Sequence, residues 1–265
     1  MDEHLPVSVA SFMQNYVHVL NTKLPSNLIE GIYIYGSITL GAFNEEKSDI
    51  DFIVLLKRSL TKFELETVQG VHSQMSESKM GKRMDGVYVQ VSTLGKTNEN
   101  LQPYPLCAEG QLKIGHWDVN HITWWILKEH GITLQGTLTR ELNIPTNWDN
   151  VIETLKYNVN TYWFSKTRKL HLFLFEDMVE FTTCTISRII CSMDQKNILS
   201  KDKAIEHCLQ TLPEKWHLLL KEGARIRKGT RGESFYRSKV KRAIDCRNFI
   251  LYTYQLGKEK YFVGE

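Results

Sequence analysis

Two aspartates one residue apart, Asp49 and Asp51, stand where a polar loop gives way to the apolar run Phe52 to Leu56, in GIYIYGSITLGAFNEEKSDIDFIVLL. Alternate residues of a strand share a face, so both carboxylates project together at a strand's mouth. Like charges held that close repel unless a cation sits between them. A hard divalent cation with oxygen ligands, Mg2+ above all, is the natural partner. Upstream, Ile32 to Tyr35 lead into Gly36-Ser37, a turn that offers backbone N–H groups and a hydroxyl to a phosphate. Metal and phosphate recognition side by side point to chemistry on a nucleoside triphosphate. A further carboxylate, Asp85 in KRMDGVYVQV, is in phase with Val87, Val89 and Val91 and shares their face at the entrance of another strand.

Positioning these groups requires strands at Ile32–Gly36 and Ile50–Leu56, and the alternation around Val87–Val91 supplies a third. Apolar spacing predicts a helix over 7–22. Another is predicted over 61–79, opened by Thr61 with Glu64 three residues on, the pattern of a capping box. A helix over 118–130 and a short strand over 132–135 follow. After the polar segment 141–150 the strand signals fade. Helices are predicted at about 150–168, 175–193, 201–211, 214–227 and 234–256. The chain therefore reads as an α/β domain with a mixed sheet over 1–147 and an all-α bundle over 148–265. A cleft between them is the default ligand site.

Bulk composition narrows the class. Hydrophobic residues at 42% and charged residues at 24% suit a soluble globular protein. A net charge of +3 is too small to argue for nucleic acid or membrane. The first twenty residues carry two acidic side chains and no long apolar segment, so they read as neither signal peptide nor membrane span. Cys107, Cys184, Cys191, Cys208 and Cys246 lack CxxC spacing and suit a reduced, cytoplasmic protein. Gly95-Lys96-Thr97 lacks the upstream glycine of a phosphate loop, and His116, His121 and Asp118 lack a further ligand at zinc spacing. The basic run Arg225, Arg227, Lys228, Arg231, Arg237, Lys239, Lys241 and Arg242 reads as a solvated helical face rather than a nucleic-acid surface. A monomer is expected.

The order strand, Gly-Ser turn, strand opening Asp-x-Asp, carried by Gly36, Ser37, Gly41, Ser48, Asp49 and Asp51, resembles the nucleotidyltransferase fold of polymerase-β-like enzymes. The segment Phe181 to Pro213 is similar to the C-terminal helical domain of streptomycin/spectinomycin adenylyltransferases, matching at Thr185, Ser187, Arg188, Lys201, Asp202, Leu212 and Pro213. Together the resemblances span about residues 30–215.

They imply Mg2+- and ATP-dependent transfer of AMP to a hydroxyl of an aminoglycoside or aminocyclitol. Asp49, Asp51 and Asp85 would hold the metal, as two ions, with Asp85 as metal ligand or base. Gly36, Ser37, Ser48, Arg188 and Lys201 would hold the nucleotide, the last two reaching its phosphates across the cleft. Trp117, Asp177 and Glu180 would meet a small cationic acceptor. The chain departs from the family where Asp85 stands for the usual Glu. Met178 occupies the place of an antibiotic-binding aspartate with Asp177 beside it, and Arg227 that of a nucleotide-associated tyrosine. Two alternatives remain open: nucleotidyl transfer to another acceptor (a protein, a tRNA end or another small molecule), and a non-catalytic nucleotide-binding regulator.

Overall fold

The computed structural model describes residues 5–229 and 232–262. It divides into two compact units, Met1–Asn147 and Trp148–Glu265.

The first unit is built on a mixed six-stranded sheet in the order β5-β4-β3-β2-β1-β6. Its strands are β1 (Ile29–Ile34), β2 (Ile50–Leu56), β3 (Met84–Gln90), β4 (Tyr104–Ala108), β5 (Gln111–Gly115) and β6 (Ile132–Gln135). Only β2 and β3 run parallel; every other neighbouring pair is antiparallel. Helices α1 (Val7–Lys23) and α2 (Lys62–Met75) supply Val9, Met13, Tyr16, Leu20, Val68 and Val71 to one core cluster with Ile50, Phe52, Val54 and Leu56 of β2. Period-two alternation sends Ile53 and Leu55 to the opposite face, where they are also buried. β2 therefore reads as a nearly unbroken apolar run, as a strand covered on both faces must. Thr61 caps α2 as its spacing predicts: Glu64 N–H donates to Thr61 Oγ1 at 3.3 Å and Thr61 N–H to Glu64 Oε2 at 2.8 Å.

The hairpin β4–β5 went unread in the sequence. Pro105 argues against a strand, and the alternation in β5 is faint because both its faces are largely exposed. Its signal lies in the turn. Glu109 and Gly110 both have positive φ, 53° and 74°, the geometry of a two-residue turn that matches strand twist. Helix α3 (His121–His130) begins later than predicted because Asn120 caps it, accepting the N–H groups of Ile122 and Thr123 at 2.9 and 3.2 Å.

The second unit is helical: α4 (Trp148–Tyr157), α5 (Phe164–Lys166), α6 (Glu176–Gln195), α7 (Lys201–Thr211), α8 (His217–Lys228) and α9 (Lys239–Leu256). A π-helical stretch, Asn158–Trp163, joins α4 to α5. The buried residues here are Val151, Leu155, Val159 and Trp163, spaced by four. At 3.6 residues per turn that spacing drifts about 40° per step, and a widened turn brings it back onto one face. Helix α9 starts at 239, not 234, because the preceding residues have other work. Ser234 Oγ donates to Glu222 Oε1 at 2.6 Å and Phe235 N–H to Glu222 Oε2 at 3.0 Å.

The basic run is corrected too. Glu222 is fully buried, with Arg242 Nη1 at 3.0 Å and Arg225 Nη2 at 3.0 Å, and Arg242 is itself 1% exposed. Those arginines neutralise an interior carboxylate instead of lining a solvated face; Arg231 lies outside the described residues. Among the described residues no helix is long and apolar enough to cross a membrane.

Candidate active site

Strand β1 delivers the chain to Gly36 through Tyr35, whose N–H donates to the Asp51 carbonyl at 3.1 Å and extends the β1–β2 ladder to the turn. Gly36 has φ +76°, and a Cβ built there would collide with the Asp51 carboxylate. Two independent constraints, backbone hand and the close approach of Asp51, thus demand glycine. Residues 36–42 then coil into a tight turn, with Leu40 N–H donating to Gly36 O at 3.2 Å and Ala42 N–H to Ser37 O at 3.0 Å. Ser37 Oγ is buried and finds no hydrogen-bond partner among the described residues.

The loop returning to β2 folds on Asn44. Asn44 Oδ1 accepts the N–H groups of Glu46 and Lys47 at 2.9 and 3.1 Å, while Ser48 Oγ accepts Asn44 N–H at 2.9 Å. Ser48 is therefore spent organising this loop. Asp49 is exposed one residue before β2, and Asp51 is half-buried within it.

Parallel pairing sets Asp51 directly beside Asp85 of β3. Lateral partners share a face, so the two carboxylates stand together on the face opposite the α1–α2 core cluster. Burial, then the Asp49 charge, pushes the Asp85 carboxyl up to about 6, with Asp118 and Glu109 adding to the push and a side-chain hydrogen bond from Trp117 opposing it. Asp85 Oδ1 is buried without a hydrogen-bond partner among the described residues. Beneath them, burial and the charges of Asp51, Asp118 and Asp85 raise the Tyr35 phenol well above its ordinary value. Repelling carboxylates with an orphaned oxygen fit a hard divalent cation. Among the described residues no group of three or more His, Cys, Asp or Glu side chains is gathered tightly enough to hold a metal ion alone. Mg2+ rarely takes an all-protein cage; it binds through one or two carboxylates together with substrate phosphates.

Trp117 is 43% exposed at this acidic mouth. Its N–H donates to Tyr104 Oη at 2.8 Å, Tyr104 Oη donates to Asn98 Oδ1 at 2.7 Å, and Asn98 Nδ2 donates back to the Trp117 carbonyl. Trp124 is fully buried and donates Nε1–H to Lys96 O at 2.7 Å, so it packs. His116 and His121 bond Leu101 O and Thr146 Oγ1 at 2.9 and 3.1 Å and serve structure. Tyr35 was missed as a site residue in the sequence: it adjoins Gly36, which was singled out, but a lone tyrosine beside a motif has no periodic signature.

In the helical unit, Arg188 of α6 donates Nε–H to Leu199 O at 3.1 Å. Lys201 opens α7 and Arg227 lies near the end of α8. Both cations act on the buried Cys184 thiol, one helical turn before Arg188, although burial still pushes that thiol up to about 11. Arg227 pairs with Asp202 at 3.0 Å and with Glu180 at 3.5 Å. Asp177 is exposed and forms no ion pair or hydrogen bond among the described residues.

Two family models match separate stretches of this chain. Residues 16–104 match the nucleotidyltransferase domain, and residues 175–251 match the aminoglycoside adenylyltransferase C-terminal domain. Among solved structures, the spectinomycin adenyltransferase AAD(9) from Enterococcus faecialis, crystallised with ATP and spectinomycin, superposes with a TM-score of 0.63 at 16% identity, over 89% of this chain and 98% of that one. No curated protein matches. A nucleotidyltransferase domain and the C-terminal domain of the aminoglycoside adenylyltransferases are thus matched in one chain, the domain pair of nucleotidyltransferases that move AMP from ATP to an aminoglycoside.

Proposed function

We propose that this chain adenylylates a hydroxyl of an aminoglycoside or aminocyclitol, with the carboxylates at the mouths of β2 and β3 as its reaction centre. The observation that carries the reading is the lateral pair Asp51–Asp85 beside a glycine that Asp51 itself makes obligatory. Asp49 and Asp51 would hold magnesium with Asp85. When bound, the metal neutralises the triphosphate and favours in-line displacement at the α-phosphorus. The Gly36-Ser37 turn presents backbone N–H groups and the Ser37 hydroxyl to phosphate oxygens. Asp85 takes the proton from the acceptor hydroxyl, whose oxygen bonds to the α-phosphorus as the bond to pyrophosphate breaks. Arg188 and Lys201 are the helical unit's candidate phosphate contacts, one a bidentate fork and the other a point charge. Ser48 has a scaffold part, since its hydroxyl already holds Asn44.

On the acceptor side, Asp177 is the carboxylate open to an ammonium group, whereas Glu180 is engaged with Arg227. Trp117 offers an exposed ring beside Asp85. Five buried free thiols suit a reducing cytoplasm. The test is pyrophosphate release from ATP and Mg2+ against a panel led by spectinomycin and streptomycin, with Asp49→Asn as control. Acceptor-dependent release that disappears in the control is the expected result. Release with no antibiotic, alongside label transfer from ATP to a protein or tRNA, overturns the acceptor class while leaving the chemistry in place.

A further inference from the structure

Arg83 has no part in the reaction described above, yet it touches the loop that carries Asp49. It ends a short 3-10 turn, Gly81–Arg83, and immediately precedes β3. The register of β2 on β3 pairs Ile50 with Met84 and Asp51 with Asp85. Continued one step back, that register sets Asp49 alongside Arg83. The guanidinium bridges the two chains there, with Nη1 donating to the Ser48 carbonyl at 3.1 Å. Among the described residues no carboxylate forms an ion pair with Arg83.

The loop is rigid on its entry side, where the Asn44 side chain accepts two N–H groups and Ser48 N–H donates to Asn44 O at 2.8 Å. Its exit has a different hold. The peptide joining Ser48 to Asp49 is not yet in the β2 ladder, which begins at Ile50. Arg83 takes the carbonyl of that peptide, fixing the backbone from which the Asp49 side chain springs to the strand that carries Asp85.

We propose that Arg83 is a positioning residue for the metal-holding carboxylates, its bond to Ser48 O setting the separation of Asp49 from Asp85. The proposal rests on the reading of Asp49, Asp51 and Asp85 as the metal site. Groups that orient metal ligands through a hydrogen bond are worth about 10–100-fold in metal affinity or activity when removed.

The experiment uses the full chain with an ATP analogue whose α,β-bridge resists cleavage. Mn2+ binding is followed by calorimetry, and the Mg2+ dependence of pyrophosphate release is measured in parallel. Arg83→Ala is expected to weaken Mn2+ binding about 10–100-fold and to raise half-saturating Mg2+ in proportion. KM for ATP at saturating Mg2+ and the thermal midpoint should stay near wild type. Arg83→Lys, which restores one charged donor, should recover most of the metal affinity.

Unchanged Mn2+ affinity in Arg83→Ala overturns the proposal. So does intact metal affinity with a raised KM for ATP, which would make Arg83 a phosphate contact. If Arg83→Ala does not fold, Arg83→Lys and Arg83→Gln decide: near-native binding in the first and weakened binding in the second support the tether, and equal binding rejects it. Asp49→Asn is the separate control, since full Mn2+ affinity in that variant would mean the metal site itself is misplaced, whatever Arg83 does.

Discussion

Gly36 is the residue at which backbone and chemistry are least separable. Replacing it with Ala forces a side chain into the left-handed region, at about 1–2 kcal/mol, and drives a methyl group into the Asp51 carboxylate. A shift of roughly 1 Å in a reacting group costs about 100-fold. Gly36→Ala should therefore lose at least about 100-fold in turnover while circular dichroism stays native; near-normal turnover would show that Asp51 has room to move. Gly41, also at positive φ but with nothing near its would-be Cβ, should show the conformational cost alone, as a small loss of stability. Asp177→Asn should raise the acceptor KM about 10-fold by removing one exposed charge pair, an effect of about 1.4 kcal/mol, and leave the ATP KM unchanged. If the acceptor KM does not move, Asp177 has no place in acceptor binding.

At the scale of elements, the helical unit turns on one buried carboxylate. Burial alone would raise the Glu222 carboxyl, but hydrogen bonds from Arg225, Ser234, the Phe235 N–H and Arg242 hold it down at about 2. Its folded pKa lies below the ordinary 4.5, so its stabilisation is complete above that value and fades as pH falls toward 2. Glu222→Gln removes the buried charge that Arg225 and Arg242 share, leaving them Glu176 at 2.8 and 3.6 Å, and should cost about 3–5 kcal/mol in chemical denaturation. A loss below about 1 kcal/mol would mean the arginines find other acceptors.

This network was invisible in sequence because it joins α8, α9 and the segment between them, and each contributor alone looks like an ordinary surface charge. The elements that were legible, β2, β6 and the capped α2, carry their signal locally, in alternation or a cap. The β4–β5 hairpin hides because β4 carries a proline, β5 faces solvent, and the evidence for the turn is two dihedral angles. In the site, the Asp-x-Asp pattern was readable from spacing. The collision that reserves position 36 for glycine, and the hold of Arg83 on Ser48, needed the register of strands far apart in the chain.

At the scale of the molecule, the two units should answer acid at different points. In the first, His72 lies buried against Tyr88, with Nε2 and the Tyr88 hydroxyl 2.6 Å apart, and burial lowers its pKa to about 4. The unfolded chain takes up a proton near 6.5 and the folded unit does not until about 4, so this contribution is full above 6.5 and lost as pH falls from 6.5 to 4. The helical unit keeps its Glu222 contribution until pH drops below about 4.5. Asp85 works in the opposite sense, its carboxyl raised to about 6 taking up a proton in the folded unit before the unfolded chain does; calorimetry across pH 7 to 3 should therefore show the nucleotidyltransferase unit weakening earlier in Asp85→Asn than in wild type, and His72→Gln should flatten that decline. Simultaneous weakening that ignores both substitutions would mean that other carboxylates govern acid unfolding.

All five cysteines are free and buried, and burial holds Cys107, Cys208 and Cys246 at about 12 and Cys184 and Cys191 at about 11. Native protein at neutral pH thus presents almost no thiolate to an alkylating reagent. For fluorescence or spin-label work the wild-type chain is already a blank background: one cysteine introduced at an exposed position such as Phe63 would take the label alone, with no native thiol to be engineered away.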